Sequence, residues 1–510
     1  MNYFAHIFAQ SKQSLYFCGE YGVWCQNRVQ ADMKEVNCER FLRMLQPARF
    51  RKSRVDVHPT DGRTAFDSDY ARVAMSASIR RLQDKTQVFP LAEYDFVRNR
   101  LTHSLEVMTL AKGMGLGVEK MLLEQGVDLV GHDINHPLRN AVSKILETAA
   151  LIHDVGNPPF GHKAEKAVQK YFRNSNGYVG RQVFSDILTD AQRADLQNIE
   201  GNVQGLRQLM HLGLADDEYS FNLTMPVLAT LVKYPFSSLD GNRKDDPDPL
   251  KHKFGFLQSE KERYEQIRSV LGLQGGQRHP LTYLLEAADD IAYNVCDLED
   301  GFRNGIISIG AIKQNLSEQV THDRRISDVV SRLSDDNDAL TNEWLIQKLR
   351  ITTQSQMIIA STSRFVERID DIVEGKLTGT LLDNTDYALL CEKLRELDVY
   401  NFRSDAVSVK EKEGIEKMRY LLDGYAQAMV LLAEDTDPLA PERQLYETIS
   451  PNYRKAACEK GKSVPTGLYG KLLLVTDYIF GMTDGYVLHL YDDKRIMELI
   501  LRVKCRLDAI

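Results

Sequence analysis

Helical periodicity dominates this sequence, and few segments alternate polar and apolar residues as a strand does. Prolines, which interrupt helices, number only 15 in 510 residues. Apolar residues recur at three- and four-residue spacing over long stretches, which is the pattern of helices with one buried face. We therefore predict a mostly α, multi-helix fold with few or no strands, in a chain long enough to bury a substantial core.

The charge composition argues against a uniformly basic nucleic-acid-binding surface. Hydrophobic residues make up 43% and charged residues 27%, which is ordinary for a globular protein, and the formal net charge is -8. A local basic funnel stays open as a hypothesis, with RFRKSR (49–54) and the pair Arg98 and Arg100 as its candidates. A run of this kind is also typical of an ordinary solvated face.

Cysteine usage favours a reducing compartment. The seven cysteines include no CxxC pair, so neither a disulfide framework nor a cysteine zinc site is supported. No apolar stretch approaches the roughly 20 residues that span a bilayer, and the N-terminus lacks the pattern of a signal peptide. We expect a cytoplasmic protein with no membrane partner.

The sequence divides into three predicted regions. Residues 1–47 are weakly periodic and have no clear role, residues 48–300 form a predicted catalytic core, and residues 301–510 form a second helical region. Polar, turn-forming stretches at 58–69, 240–255 and 436–444 interrupt the helical pattern. We find no internal repeat and no low-complexity tract.

The segment RLTHSLEVMTLAKGM (100–114) is predicted to be a helix that carries His103 on its apolar face. Val107, Leu110 and Met114 fall on the same face by their spacing. A histidine in this position is either a hydrogen-bonded core residue or a metal ligand. The helix alone does not decide between the two.

The segment KILETAALIHDVGNPP (144–159) points more strongly to a metal. An apolar helix runs into His153 and Asp154 before Gly156 and Pro158 end it. A buried carboxylate at a helix C-terminus is opposed by desolvation and by the negative end of the helix dipole, and a bound cation offsets both costs. The alternative is a surface aspartate at a frayed helix end. The other HD pair, His132-Asp133, lies in a polar stretch and is interpreted as an ordinary turn.

Two further segments supply polar side chains at helical spacing. In PLTYLLEAADDIAYNVCDLEDGF (280–302), Asp289, Tyr293 and Asp297 recur every fourth residue and share one stripe, either of a cleft or of a solvated acidic face. In GHKAEKAVQKYF (161–172), His162 and Glu165 are three residues apart on a helix that begins after the Pro-Pro break. That pair is suited either to proton transfer beside a phosphate or to helix capping.

Taken in order, these motifs resemble the deoxyguanosine triphosphate triphosphohydrolase (dGTPase) family of the HD-domain metal-dependent phosphohydrolases. The resemblance runs from about residue 48 to near the C-terminus, and implies an HD-domain fold. Beyond H…HD…D, it rests on six longer strings: SIRRLQDKTQVFPL (78–91), RNRLTHSLEV (98–107), LIHDVGNPPFGH (151–162), IEGNVQGLR (199–207), EAADDIAYNVCDLED (286–300) and FGMTDGY (480–486).

The resemblance implies a role for each matching position. His103, His153, Asp154 and Asp289 would hold one divalent ion per subunit, Mn²⁺ or Mg²⁺. His162 and Glu165 would form the catalytic dyad beside the attacking water. The implied substrate contacts are Asn202, Lys233, Tyr234 and Lys253 for the phosphates, Gln87, Tyr293 and Asp297 for the sugar, and Val88 and Glu411 for the base. Arg443 and Arg454 both stay open as the arginine that the family places near guanine.

The implied reaction converts dGTP and water into deoxyguanosine and inorganic triphosphate. A broad-specificity dNTPase or an HD-type nucleotide phosphatase is the first alternative, and a nucleic-acid-binding regulatory protein with a vestigial site is the second. The resemblance further implies a homo-oligomer, a hexamer, and a single-stranded DNA effector.

Overall fold

The computed structural model describes residues 33–51, 61–90, 96–130, 136–213, 218–316, 323–403 and 405–509. Within these ranges it contains helices and no β-strand, which confirms the prediction of a mostly α fold. The helices are α1 (Glu35–Met44), α2 (Ala65–Ala74), α3 (Ala77–Arg81), α4 (Arg100–Glu124), α5 (Ala141–Ile152), α6 (Gly161–Arg173), α7 (Tyr178–Val183), α8 (Asp190–Asn198), α9 (Gly201–Arg207), α10 (Met225–Thr230), α11 (Lys261–Leu271), α12 (Pro280–Arg303), α13 (Ile309–Asn315), α14 (Arg324–Arg332), α15 (Ala339–Glu367), α16 (Ile369–Val373), α17 (Ala388–Arg403), α18 (Asp405–Leu431), α19 (Pro441–Thr448), α20 (Pro451–Ala457), α21 (Leu468–Phe480), α22 (Asp484–Asp492) and α23 (Lys494–Asp508).

Three shorter turns supplement these helices. Leu82–Asp84 and Pro249–Lys251 are 3₁₀ turns, and Gln208–Leu212 forms a single turn of π-helix that continues α9. Within the described ranges, no helix combines the length and the apolar character that crossing a membrane requires.

The first buried core joins α4, α5, α12 and α15. Its residues include Val107, Ile145, Leu285 and Phe365, all completely buried. Their apolar spacing along each helix is what the sequence pattern predicted, since each helix buries one face against its neighbours. This core therefore fixes the relative positions of α4 and α12, which carry predicted metal ligands, and of α5, which ends directly before His153.

A buried carboxylate anchors the start of α5 within this core. Glu119 of α4 is 1% exposed. It accepts hydrogen bonds from the backbone N–H of Ser143, at 2.9 Å, and from the Ser143 hydroxyl. A carboxylate is favourable at a helix N-terminus, where backbone N–H groups lack partners. Burial nevertheless raises the pKa of Glu119 to about 7.

A second core lies among α6, α18, α21 and α23, and a third joins the C-terminal half of α12 to α13, α14 and α17. Helix α12 contributes to the first and third cores, and α15 packs against both α4 and α12. The predicted boundary at 300/301 falls within the last turn of α12. The predicted catalytic and C-terminal regions are thus packed together and share helices.

Arg98 and Arg100, the two arginines proposed for a basic funnel, are buried in ion pairs. The hypothesis of a basic funnel is therefore wrong for these two residues. Arg98 contacts Glu106, Glu299 and Asp300 and is 13% exposed at its side chain. Arg100, 3% exposed, pairs with a carboxylate of the candidate site described below. Charge alone did not reveal their partners, because all of the acids except Glu106 lie far away in the sequence. Residues 52–54 of the other basic run lie outside the described ranges, as does the His132-Asp133 pair.

Candidate metal and nucleotide site

Three predicted metal ligands converge from three helices. His103 lies on α4, His153 follows the last residue of α5, and Asp289 lies on α12. Asp289 Oδ1 is 3.2 Å from His103 Nε2 and 3.4 Å from His153 Nε2. One ligand atom from each residue lies within 4.8 Å of the others, so the three can hold one metal ion together. We call them the metal-ligand cluster.

A backbone contact sets the orientation of the His153 ring. Its Nδ1 lies 2.7 Å from the carbonyl oxygen of Ala150, which can only accept a hydrogen bond. A proton therefore belongs on Nδ1, and Nε2, which faces Asp289, is the ring nitrogen left to bind a metal ion in place of a proton. Residue Asn99 begins α4 with a capping box to Thr102, which fixes the turn from which His103 projects.

The electrostatics of the cluster favour a positive charge at its centre. Burial opposes protonation of His153, but the Asp154 and Asp289 carboxylates raise its pKa to about 9. Asp289 is partly buried, and Lys233, His153 and His103 hold its pKa well below the ordinary value. The ammonium of Lys233 lies 3.1 Å from Asp289 Oδ2. Two imidazoles and a carboxylate are a donor set that suits Mn²⁺ and other divalent ions.

Asp154, the fourth predicted ligand, lies beside this cluster with other partners. Its Oδ1 is 3.6 Å from His153 Nε2, while its Oδ2 accepts from Arg100 at 2.7 Å. The side chain of Asn157 donates to Oδ1. Arg100, followed by His153 and His103, keeps the pKa of Asp154 low despite its burial. Asp154 is therefore ionised and adjacent to His153, and its role as a ligand stays a prediction.

His162 and Glu165 lie on the first turns of α6, as their spacing predicted. His162 Nδ1 is 3.2 Å from Glu165 Oε2, and the histidine side chain is 73% exposed while Glu165 is mostly buried. The other oxygen of Glu165 accepts from the backbone N–H of Gly201 at 2.8 Å, which holds the carboxylate in place. Phe160 and Gly161 turn the chain into α6 with positive φ angles of 61° and 65°. A held carboxylate thus orients an accessible imidazole.

The four predicted phosphate contacts do not all face one cavity. Tyr234 and Lys253 line an open cavity of about 1180 Å³ together with the His162–Glu165 pair. Lys253 Nζ lies 3.1 Å from Glu200 Oε2 and 5.8 Å from the centre of the Tyr234 ring. Asn202 and Lys233 instead line a much smaller cavity beside His153. The metal-ligand cluster and the dyad are therefore each accompanied by cationic or amide side chains.

The predicted sugar contacts include buried oxygens that have no hydrogen-bond partner. The Tyr293 hydroxyl bonds to Asp297, and burial raises the pKa of Asp297 well above its ordinary value. Within the described residues, Asp297 Oδ2, Gln87 Oε1 and both carboxylate oxygens of Asp398 are unsatisfied. Buried polar atoms without partners are rare, and a donor from a ligand is one way to satisfy them. Sequence reasoning did not identify Asp398, which follows no motif.

The residues predicted near the base have different surroundings, and their role stays a prediction. Val88 is 6% exposed, and Glu411 forms an ion pair with Lys163 of α6. Arg443 and Arg454 both lie against the ring of Tyr446, at 5.7 and 5.3 Å from its centre. Arg454 lines a cavity that contains no dyad residue. Neither arginine is placed at the candidate site, so the choice between them stays open.

A clamp that the motifs did not reveal joins the site to the C-terminal string FGMTDGY. The buried Lys85 donates to the carbonyl oxygens of Asn157, at 2.6 Å, and Phe480, at 2.7 Å. Asp484 accepts from the backbone N–H groups of Thr86, at 3.1 Å, and Phe160, at 3.0 Å. Lys85 and Asp484 thus fix both the turn after His153-Asp154 and the residue preceding α6. The strings 78–91 and 480–486 were the only sequence signal of this contact.

Comparisons with known proteins agree with this arrangement. The HD domain family matches residues 100–214, which include five of the six predicted metal and dyad residues. A deoxyguanosinetriphosphate triphosphohydrolase-like protein of Listeria monocytogenes is 37% identical over 449 residues, which cover 85% of this chain and 94% of that protein. The chain belongs to the deoxyguanosinetriphosphate triphosphohydrolase-like family of HD-domain proteins.

Two other members of this family align over similar lengths. A triphosphohydrolase-like protein of Synechocystis is 32% identical over 469 residues, covering 89% of this chain and 99% of that protein. The deoxyguanosinetriphosphate triphosphohydrolase of Yersinia enterocolitica is 30% identical and covers 84% of this chain and 93% of that protein. The resemblance inferred from the motifs is thereby confirmed.

Proposed function

We propose that this protein is a metal-dependent dNTP triphosphohydrolase that converts dGTP and water into deoxyguanosine and inorganic triphosphate. The observation that carries the proposal is the metal-ligand cluster of His103, His153 and Asp289, in an HD domain that also holds the His162–Glu165 pair. Family membership supports the metal-dependent triphosphohydrolase reaction. The names of the relatives, several of them only "-like", support dGTP as the substrate.

The donor set fits one divalent ion, Mn²⁺ or Mg²⁺, held by the metal-ligand cluster with Asp154 as fourth ligand. When bound, the ion would supply Lewis-acid stabilisation of phosphate charge and lower the pKa of a coordinated water. Because the Ala150 carbonyl holds a proton on Nδ1, Nε2 is the nitrogen of His153 that would bind the ion. Arg100 keeps Asp154 ionised and close to His153.

His162 is proposed to move a proton during attack on the α-phosphate. Its ring is exposed toward the large cavity, and Glu165 holds it from the protein side through Nδ1. Glu165 is itself fixed by the Gly201 N–H, so the imidazole presents Nε2 to the reacting groups. A positioned imidazole of this kind typically contributes about 10² to 10⁴ in rate.

The remaining predicted contacts would bind the nucleotide. Lys233 and Lys253, with Asn202 and Tyr234, would hold the triphosphate and screen its charge, which is the dominant requirement in phosphoryl transfer. The unsatisfied oxygens at Gln87 and Asp297 are acceptors for the sugar 3′-hydroxyl. Tyr293, half-buried and bonded to Asp297, would pack on the deoxyribose where a 2′-hydroxyl has no room. Val88 and Glu411 would contact the base, Glu411 as acceptor for guanine N–H groups.

By the same resemblance we propose a cytoplasmic homo-oligomer, a hexamer, that responds to single-stranded DNA. A broad-specificity dNTPase and an HD-type nucleotide phosphatase would both use the metal-ligand cluster. The first would differ from our proposal in its substrate preference, and the second in its products. A regulatory nucleic-acid-binding protein with a vestigial site is less well supported, because the predicted ligands and dyad are all present.

The deciding experiment is incubation of the protein with each dNTP and with GTP, in Mn²⁺ or Mg²⁺, with products resolved by ion-exchange chromatography. We expect deoxyguanosine and inorganic triphosphate from dGTP, and no product after chelation of the metal. His153→Ala and Asp154→Ala should each abolish turnover. Release of orthophosphate in steps would identify a nucleotide phosphatase, and equal rates with all dNTPs would identify a broad dNTPase. Normal turnover by the ligand variants at full metal occupancy would refute the ligand assignment.

A further inference from the structure

The large cavity beside the dyad extends away from the residues predicted to bind sugar and base. It is lined by His162, Glu165, Tyr234 and Lys253 and has a volume of about 1180 Å³. Ligand pockets for small molecules usually enclose roughly 300 to 1,000 Å³. None of the five predicted sugar and base contacts is among the described residues that line it. The extra space therefore lies on the phosphate side of the candidate site.

A neighbouring cavity of about 580 Å³ continues this space. The two cavities share Gln169, Asn242 and Lys244, so they form one groove along the outer face of α6. On that helix the lining residues His162, Lys166, Gln169 and Arg173 follow one another at spacings of four, three and four, which is one face of a helix. We call this the α6 groove.

The α6 groove carries cations that have no acidic partner. Lys166 and Lys244 are exposed, and among the described residues neither forms an ion pair or hydrogen bond. Lys163, on another face of α6, is by contrast paired with Glu411.

The groove carboxylates, in contrast, are mostly paired. Glu286 pairs with Arg278, Glu374 pairs with Lys34 and Lys376, and Asp246 with Lys251. Asp245 and Asp248 form no ion pair among the described residues, but they are outnumbered by four lining cations without an acidic partner: Lys166, Arg173, Arg243 and Lys244. Along α6, the first cation of the groove without an acidic partner is therefore Lys166, one helical turn beyond His162. A concave surface with unpaired cations concentrates anions.

We propose that the α6 groove binds a phosphate chain longer than three units, so that the protein also hydrolyses deoxynucleoside 5′-tetraphosphates. The inference rests on the proposed function, because it places the reacting α-phosphate beside His162. Water oxygen bonds to the α-phosphorus, the bond from that phosphorus to O5′ breaks, and O5′ receives a proton. The products are the deoxynucleoside and inorganic tetraphosphate, and the fourth phosphate contacts Lys166 and Lys244.

The test compares dGTP with deoxyguanosine 5′-tetraphosphate on the full-length protein, with products separated by ion exchange. We expect tetraphosphate release at a kcat/KM at least equal to that for dGTP. In Lys166→Ala/Lys244→Ala, kcat/KM for the tetraphosphate should fall about tenfold more than for dGTP, the change that ~1.4 kcal/mol of lost charge contact produces. Lys170→Ala/Lys261→Ala is the matched control, since both lysines are exposed and neither lines the groove.

The outcomes separate this inference from the proposed function. Cleavage of dGTP without cleavage of the tetraphosphate overturns the inference alone. An equal loss for both substrates in the groove variant, or an equal loss in the control, also overturns it. Failure with both substrates overturns the proposed function and the inference together, whereas cleavage of the tetraphosphate alone supports the groove and refutes the preference for dGTP.

Discussion

Replacing Lys85 by methionine tests whether the buried clamp holds the metal-binding turn. The ammonium is completely buried, and it donates to the carbonyl oxygens of Asn157 and Phe480. Burial, and then the nearby Arg100, lower its pKa from 10.5 to about 7. Methionine keeps the unbranched apolar stem and removes the donors, so both carbonyls lose a partner at a cost of about 1–3 kcal/mol each.

The change of the unfolding free energy with pH tests the clamp more sharply than the unfolding free energy at a single pH. Because the folded protein binds this proton less tightly than the unfolded chain does, folding releases it, and stability rises with pH between about 7 and 10.5. Between pH 8 and pH 10 this linkage adds roughly 2–3 kcal/mol to the unfolding free energy of the wild type. The methionine variant lacks that increment.

Urea unfolding at pH 8, 9 and 10 measures the difference between wild type and Lys85→Met. Between pH 8 and pH 10, we expect the wild type to gain roughly 2–3 kcal/mol of unfolding free energy over Lys85→Met. Lys170→Met, at an exposed site, should differ from the wild type by the same amount at every pH. Mn²⁺ affinity of Lys85→Met should fall by about tenfold, the usual scale for losing support behind a metal ligand. If the unfolding free energies of wild type and Lys85→Met change in parallel with pH, and Mn²⁺ affinity is unchanged, then Lys85 does not hold the metal-binding turn.

Three further predictions use other parts of the site and core. His162→Ala should bind Mn²⁺ normally and lose about 10²-fold or more in kcat, and an unchanged kcat would remove His162 from the dyad. Glu411→Ala should cost about 1–3 kcal/mol in kcat/KM for dGTP beyond any loss for other dNTPs, and equal losses would exclude it from base recognition. The pKa of Glu119 is raised to about 7, so its stabilising contribution is present below about pH 4.5 and is lost as the pH rises through 7. Glu119→Gln should therefore gain roughly 2–3 kcal/mol of unfolding free energy relative to wild type between pH 5 and pH 8, and a constant difference in urea unfolding would contradict this.

The helical spacing of the sequence was sufficient to predict the position of a functional residue that lies in or beside a regular helix. The spacing around His103 predicted a helix over 100–114, which is the first part of Arg100–Glu124 in the structure. The run before His153 predicted α5, which ends at Ile152, ahead of the Gly156 and Pro158 expected to end it. Asp289, Tyr293 and Asp297 do lie together on α12. Periodicity determines these features because the buried face of a helix repeats every 3.6 residues.

Contacts between distant segments depended on the tertiary structure. Arg98 and Arg100 resembled a basic surface in the sequence, yet both are paired with acids of distant segments, Arg98 with Glu299 and Asp300 of α12 and Arg100 with Asp154 in the turn after α5. The same is true of Lys85 and Phe480, which are 395 residues apart. A side chain's charge is visible in the sequence, but the group that neutralises it is not, because packing brings together residues with no fixed separation along the chain. The sequence by itself therefore determined the helical class, the family and the candidate ligands, whereas packing decided which ligands meet, which charges stay unpaired and where the groove lies.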